Sequence, residues 1–413
     1  MKKGKEAAMK EILVIGCGPA GMMAAIWAAR QGNRVTILEG MDRPGKKLLL
    51  TGNGKCNLTN QDPELVKRYH GAPVGEVLAQ FSTDDTLDFF HSIGLMTAGK
   101  NGCVYPYTGQ SSSVLELLLA ELKRLGVKMK FSEKIIRISG ENETLAASTQ
   151  SWSYRADRII LACGSRALPS TGSDGTGYLL AKQAGHSILP VLPALTSLQA
   201  GEKWIAACAG VRCPARVSVF AENTSSPTAA ETGELQWTEY GISGIVVFQI
   251  SRFASLALQR KQKVFVKLDL FPQMPEEELL SWLLQIGQNA LETPISGAFS
   301  GILPKKLLAA LLKEQGIDPK TAMKQLSKQQ LRDFMALAKE IRLTITGTKS
   351  FEQCQVCTGG VPMCEVTPDT LESKRMSGLY LAGELLDVDG PCGGYNLQWA
   401  WSSGYAAGFH AGS

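Results

Sequence analysis

The chain has 413 residues, 44% of them apolar and 20% charged, and a net charge of +5. That length suffices for two or three domains with real cores. The mild, dispersed charge argues against a nucleic-acid surface and points weakly to anionic ligands, and the longest apolar runs, near 244–250, are too short to span a bilayer.

The basic first residues run straight into a strand pattern, so no secretory leader is expected. Ten cysteines without an export signal then read as reduced thiols in a cytoplasm. No repeat or low-complexity tract is evident.

The first patterned stretch is Ile12-Leu13-Val14-Ile15-Gly16-Cys17-Gly18-Pro19-Ala20-Gly21. Its apolar, mostly β-branched start predicts a buried strand. The glycines follow in GxGxxG order. Gly16 permits a tight turn, Gly18 lets the backbone approach a pyrophosphate, and Gly21 lets the next helix pack closely. The Ala-rich segment 22–31 predicts that helix, with its N-terminus aimed at the phosphates. A second strand over 34–39 ends in Glu39, 18 residues beyond Gly21, where a carboxylate can accept both hydroxyls of an adenosine ribose. GxGxxG alone is weak evidence. Strand, glycines, helix, strand and acid in order predict a dinucleotide site rather than an ordinary βαβ turn.

Next comes a loop rich in Gly, Asn and Lys, from Arg43 to Asn60, containing Lys46, Lys47 and the run Thr51-Gly52-Asn53-Gly54-Lys55-Cys56-Asn57. Such a loop can form an anion nest, and its lysines can neutralise phosphate. The bland alternative is a solvated loop. Helices are predicted over 84–94 and 111–125, the second capped by Ser113 with Glu116 behind it. The turn-rich segment between them carries Tyr105. Segment 127–138 alternates like a strand. The apolar strand ending Ala162-Cys163-Gly164 is followed by a glycine-rich turn with the wrong order for a second fingerprint, then a helix over 178–184.

From Pro190 the pattern changes. Short strands are predicted over 195–198, 212–220, 234–238, 245–250 and 263–270, and amphipathic helices from 275 onward, including 304–315 and 319–341. Residues 192–350 therefore read as a two-part insertion, β-rich over 192–274 and helical over 275–350. It divides an α/β domain into 1–191 and 351–413. The second part returns to a strand ending Ala382-Gly383-Glu384, then Asp387, Gly390-Pro391-Cys392-Gly393-Gly394-Tyr395-Asn396-Leu397-Gln398 and a small-residue helix. A glycine-rich turn into a helix again offers backbone amides to an anionic or electron-rich group.

Together these motifs resemble the two-dinucleotide-domain flavoproteins. The runs Gly52 to Asn57, Tyr240-Gly241-Ile242-Ser243-Gly244, Gly359-Gly360-Val361 and Gly390 to Gln398 are similar to a bacterial group called YhiN-like or BaiN-like, over nearly the whole chain. The resemblance implies a Rossmann-like FAD-binding domain of the GR2 type, interrupted by the insertion. Gly16, Gly18, Pro19, Ala20 and Gly21 would cradle the pyrophosphate, and Glu39 the adenosine ribose. Lys46, Lys47 and the Thr51 to Asn57 loop would run along the FAD and under its ring. Ala162, Cys163 and Gly164 would flank the adenine half. Gly383, Glu384 and Asp387 would meet the ribityl–phosphate arm. Gly394 would open the last turn, and Asn396, Leu397 and Gln398 would offer backbone amides to the flavin pyrimidine edge, raising its potential. Members of the group are described as a bile-acid enone reductase and an aminoacetone oxidase.

Three functions follow as expectations. The first is reduction of an activated C=C bond with NADH or NADPH as transient donor, since no second nucleotide fingerprint appears. The second is an oxygen-using oxidase of a small amine. The third, of another class, is a flavin protein acting on RNA, which the lack of a basic, aromatic-laced patch disfavours. The expected partner is a small molecule, with no nucleic acid, membrane or metal. Tyr105, Glu239, Tyr240 and Tyr395 are candidate substrate contacts, each weighed against a structural tyrosine or solvated acid. Cys354 and Cys357 form a CxxC that reads as packed thiols rather than a redox or zinc site. Cys56 and Cys392 lie in loops assigned to the flavin. None of the four histidines, His70, His91, His186 and His410, falls in a motif.

Overall fold

The computed structural model describes residues 9–141, 144–222 and 224–413, so most of the basic start, read above as no leader, lies outside the described residues. Two compact units form, 1–192 with 351–413, and 193–350.

The first unit is built on a five-stranded parallel sheet. Strand β1 (Glu11–Ile15) lies at its centre, between β2 (Arg34–Leu38) and Arg158–Leu161; Leu379–Leu381 and Lys128–Lys130 form the edges. Both parallel neighbours of β1 are reached by crossover, and Ile12 to Ile15 are all buried, so both faces of β1 are covered. Helix α1 (Pro19–Arg30) packs against the C-terminal helix Tyr395–Gly412, which is buried almost all round. Gly404 and Gly408 make this approach possible. A Cβ on Gly404 would lie 2.5 Å from the Ala20 carbonyl oxygen, and one on Gly408 2.7 Å from Ala24 Cα. Trp399 and Trp401 are fully buried without an orphaned N–H. They donate to the Gly383 and Leu58 carbonyls at 3.0 and 2.9 Å.

The second unit contains a closed barrel in the order Leu198–Ala200, Gly241–Ser243, Ala229–Thr238, Arg212–Ala221, Val264–Asp269, Ile341–Thr348. Closure removes the exposed edges that open antiparallel strands would present. Two sequence expectations fail here. The run 245–250 is not a strand but the start of helix Ile245–Gln259, whose apolar positions continue at helical spacing through Ala254 and Ala257. The helix expected over 319–341 is confined to Lys328–Lys339, and the alternating Ile341–Thr348 closes the barrel instead. In the first unit, Ser113 does not cap the 111–125 helix, which starts at Ser111 after an uncapping Gln110. Segment 127–138 contains only the short strand Lys128–Lys130 before Arg137–Glu141 opens a separate antiparallel sheet. Among the described residues no helix is long and apolar enough to cross a membrane.

One buried polar network explains a histidine that no motif claimed. His186 lies between Glu365 (Nδ1 to Oε2, 2.9 Å) and Ser373 (Nε2 to Oγ, 2.8 Å), while Ser187 donates to Glu365 from its amide and hydroxyl. Burial works against the Glu365 carboxylate, but Ser187, His186 and Arg375 hold its pKa down to about 2. Burial lowers His186, with Glu365 opposing. Both folded pKa values lie below their unfolded ones, so both contributions are present above the unfolded pKa and are lost as pH falls through the folded one. Stability is therefore expected to decline below about pH 6.5, most steeply between about pH 4.3 and 2, the window between the unfolded and folded values of Glu365. Glu365→Gln should cost roughly 2 kcal/mol at pH 7 and flatten the acid limb of a Tm-against-pH series. An acid limb identical to the wild type would remove Glu365 from the account.

Candidate functional site

The site is assembled where the parallel strands of the first unit end. β1 turns through Gly16 at φ +107°, with its N–H on the Leu38 carbonyl at 2.9 Å. A Cβ there would stand 2.5 Å from the Ala162 carbonyl oxygen, so both conformation and space demand glycine. Gly18 caps α1 in an extended conformation, with Pro19 at the first helical position and no side-chain cap. The first amides of a helix have no intrahelical acceptor, so those of Ala20 and Gly21 face outward beside the positive end of the dipole. A Cβ on Gly18 would meet no protein atom within 4 Å, so there is open space beside this residue at the helix start.

Glu39 follows directly after β2. Its Oε2 accepts the Cys17 amide at 2.7 Å and its Oε1 the Met41 amide at 2.8 Å. A carboxylate has about four acceptor positions, so each oxygen keeps capacity for another donor. The strand Arg158–Leu161 brings Ala162, Cys163 and Gly164 alongside. The Ala162 amide bonds the Ile15 carbonyl, and Cys163 is pushed up to about 12 by burial and then by the Glu39 charge.

The Lys- and Gly-rich loop docks on this turn through the Gly45 amide, bonded to the Cys17 carbonyl at 3.1 Å. Lys46 pairs with exposed Asp42 at 2.6 Å. Lys47 pairs with Glu384, whose carboxylate also accepts the Ser165 hydroxyl at 2.8 Å. Gly52 and Asn53 are both left-handed, and the loop carries Gly54, Lys55 and a buried Cys56 at φ +56°. Burial raises Cys56 to about 12, so its thiol is a neutral packed group beside Thr51. Asn57 Oδ1 is buried without a hydrogen-bond partner, which an N–H of a ligand could satisfy.

At the far end of the chain Gly383 abuts Ala20, where an added Cβ would stand 2.9 Å from the alanine methyl. Asp387 accepts the Gly359 amide at 2.9 Å. Gly394, at φ +99°, caps the C-terminal helix with no side-chain cap, and a Cβ on it would lie 2.9 Å from Asn57 Oδ1. The amides of Asn396 and Leu397 in that first turn have no intrahelical acceptor. Gln398 differs from expectation. Its amide is bonded to the Gly394 carbonyl, and its buried side chain joins Thr59, Phe81, Thr86 and Ser402. The Asn396 side chain likewise braces Gly390 and Pro391.

The aromatic candidates divide. Tyr395 is buried, and its hydroxyl donates to Asp62 at 2.8 Å, an internal hydrogen bond. Tyr240 and Glu239 lie in a barrel hairpin of the second unit, where Tyr240 packs under Lys349 at 3.6 Å from its ring. Tyr105 is half-buried in the first unit, on strand Cys103–Pro106 beside Gly52. The sequence reading missed its neighbour Cys103. Positions 103 and 105 share one face of that strand, a period-two signal that could have found it.

Cys354 and Cys357 pack with Ala167 in a small buried cluster. Contact with the Cys354 thiol draws Cys357 down, and the same contact pushes Cys354 up. No group of His, Cys, Asp and Glu able to hold a metal ion exists among the described residues.

Comparison with known proteins places this geometry. The family model described as "HI0933-like protein Rossmann domain" matches residues 10–410. The chain is 43% identical over 407 residues, 97% of its length and 98% of the relative, to a protein of Clostridium scindens named "3-dehydro-bile acid delta(4,6)-reductase". It is 28% identical, over 96% of its length and 97% of the relative, to a "Ribosomal RNA dihydrouridine synthase" of Haemophilus influenzae. Among solved structures, a 3-ketosteroid-delta4-(5alpha)-dehydrogenase of Rhodococcus jostii is similar at 16% identity and a TM-score of 0.48, covering 99% of this chain and 98% of that one.

Proposed function

From the premise that the chain belongs to the HI0933-like Rossmann family, we propose that it is an FAD-dependent oxidoreductase that reduces a carbon–carbon double bond conjugated to a carbonyl group. The observation that carries the cofactor is the uncapped N-terminus of α1 with open space beside Gly18 and the Glu39 carboxylate at the next strand end. These donors suit a pyrophosphate and the acceptors an adenosine ribose. The orphaned Asn57 Oδ1 beside the uncapped start of the C-terminal helix fits an electron-rich ring bearing an N–H. The residues present therefore fit FAD.

In this reading Gly16, Gly18, Ala20 and Gly21 hold the pyrophosphate, with Lys46 and Lys47 in the adjoining loop. Ala162 to Gly164 line the adenine end. Glu384 and Asp387 face the ribityl–phosphate arm. The 51–57 loop, Gly394, Asn396 and Leu397 frame the ring. Bound FAD supplies hydride to the substrate. The chain's own part is to hold the acceptor bond over the ring, exclude water and provide a proton.

The type of bond is supported by the relative of 43% identity. A 4,6-dienone is a C=C system conjugated to a carbonyl. The rRNA-modifying relative favours a second reading on the same chemistry, since dihydrouridine arises by reducing the uracil C5=C6 bond, itself conjugated to a carbonyl. NADH or NADPH would dock transiently.

Anaerobic photometry tests the proposal. NADH or NADPH should bleach the flavin bands, and a 3-oxo-Δ4 steroid should restore them. Restoration only by a uridine-containing rRNA fragment would establish the second reading. Bleaching by small amines alone would overturn both in favour of an amine oxidase.

A further inference from the structure

Three potential proton-bearing groups converge between the two loops assigned above to the flavin ring. On strand Cys103–Pro106, Cys103 and Tyr105 lie on the same face, and the Cys103 thiol donates to the Gly393 carbonyl at 3.7 Å. Gly52 of the 51–57 loop lies against the Tyr105 ring, where an added Cβ would be 3.8 Å from Cε1. On the other side, Gly393 of the 390–394 loop lies against Cys103, where an added Cβ would be 3.6 Å from its sulfur. Asn60, paired opposite Cys103 in the sheet, locks the two together. Its Nδ2 donates to the Gly393 carbonyl at 2.7 Å and contacts the Cys103 sulfur at 3.7 Å. Cys392 faces the same cluster and contacts Gln355 Oε1 at 4.0 Å.

Cys103 shares a strand face with Tyr105, and the charge on Cys103 is felt by Cys392 of the facing loop. Asn60, against Cys103, and Gln355, against Cys392, are uncharged. Burial and the Cys103 sulfur both push the Tyr105 hydroxyl above its ordinary pKa, and burial pushes Cys392 to about 12. Both groups therefore keep their protons at neutral pH. A reduction of a conjugated C=C bond needs such a group, because hydride supplies only one of the two hydrogens.

We propose that the Tyr105 hydroxyl is the proton donor of the reduction, delivering its proton to the substrate carbon next to the carbonyl, with Cys103 positioning it. This rests on the double-bond reading above. Hydride from the reduced flavin forms the C–H bond at the β-carbon, and the π pair moves to the α-carbon and the carbonyl oxygen. The Tyr105 O–H bond then breaks, its proton forms the C–H bond at the α-carbon, and water reprotonates the phenolate. The substrate gains two electrons and two hydrogens, one as hydride and one as proton.

The test uses flavin-loaded protein reduced with dithionite under argon and mixed with a 3-oxo-Δ4 steroid. General acids contribute roughly 10²–10⁴-fold. Tyr105→Phe should therefore slow reoxidation of the flavin about 100-fold or more with little change in steroid affinity. In D2O the wild type should place deuterium on one face of the α-carbon, and the variant should lose that selectivity. A second readout needs no turnover. In alkaline absorbance titration, the wild-type minus Tyr105→Phe difference should show one phenolate appearing above the ordinary tyrosine range. Cys103→Ala should move that midpoint down. Wild-type reoxidation rates in Tyr105→Phe, or an ordinary midpoint unmoved by Cys103→Ala, would overturn the proposal while leaving the enone reading intact. A wild type that no enone reoxidises would overturn that reading and this one together.

Discussion

Gly408→Ala is expected to destabilise the first unit by about 3 kcal/mol. The new methyl would overlap the Ala24 carbonyl oxygen and approach Ala24 Cα to 2.7 Å. Both are backbone atoms of a buried helix, so no flexible side-chain end can yield. Alanine gains roughly 1 kcal/mol of helix propensity over glycine, which is too small to offset the clash. One turn earlier, a methyl on Gly404 would meet the Ala20 carbonyl oxygen at 2.5 Å, so Gly404→Ala should act in the same direction. Either change pushes α1 away from the C-terminal helix, and α1 carries the glycine turn at its N-terminus. Flavin retention should therefore fall together with the melting temperature. The check is thermal unfolding followed by tryptophan fluorescence, because Trp399 and Trp401 are buried on the same helix. A melting curve matching the wild type would show that the two helices part easily, contrary to the packing described.

Glu39→Ala is expected to yield a protein that purifies nearly colourless. The carboxylate accepts the Cys17 and Met41 amides, and in the proposed function also the adenosine ribose. Hydrogen bonds to a charged acceptor contribute about 1.5–3 kcal/mol each. Losing those to the ribose should weaken FAD binding roughly 100-fold, about 2.7 kcal/mol. FMN lacks the adenosine half, so the preference for FAD over FMN in a fluorescence titration should narrow in the variant. Glu39→Gln keeps one acceptor oxygen and should be intermediate. Unchanged FAD affinity in Glu39→Ala would remove the acid from the cofactor site and put the orientation of the dinucleotide in question.

Local features were read correctly where their causes are local. The β1–α1–β2 unit lies within about thirty residues, and its glycines are required by conformations set within the turn. The mostly apolar run 245–250 is compatible with either a strand or a helix, and only its continuation at helical spacing through Ala254 and Ala257 decides. Ile341–Thr348 alternates but follows a helical pattern directly, and its strand role is set by pairing partners at Leu198–Ala200 and Val264–Asp269. Tyr395 lies beside a glycine turn that invites a ligand role, yet its hydroxyl belongs to Asp62, 333 residues earlier.

By itself the sequence determined the family, the α/β dinucleotide fold, the glycine turn and the acid at the end of β2. Each is specified by residue type and spacing over short stretches, where backbone conformation and burial leave few alternatives. Tertiary structure alone decided which polar groups are already bonded and which face open space. It spent Gln398 and Tyr395 on internal hydrogen bonds, left Asn57 Oδ1 without a partner, and set Cys103 beside a loop nearly three hundred residues away. A hydrogen bond between distant segments leaves no periodic trace in either one, because its energy depends on the meeting of surfaces that fold independently along the chain.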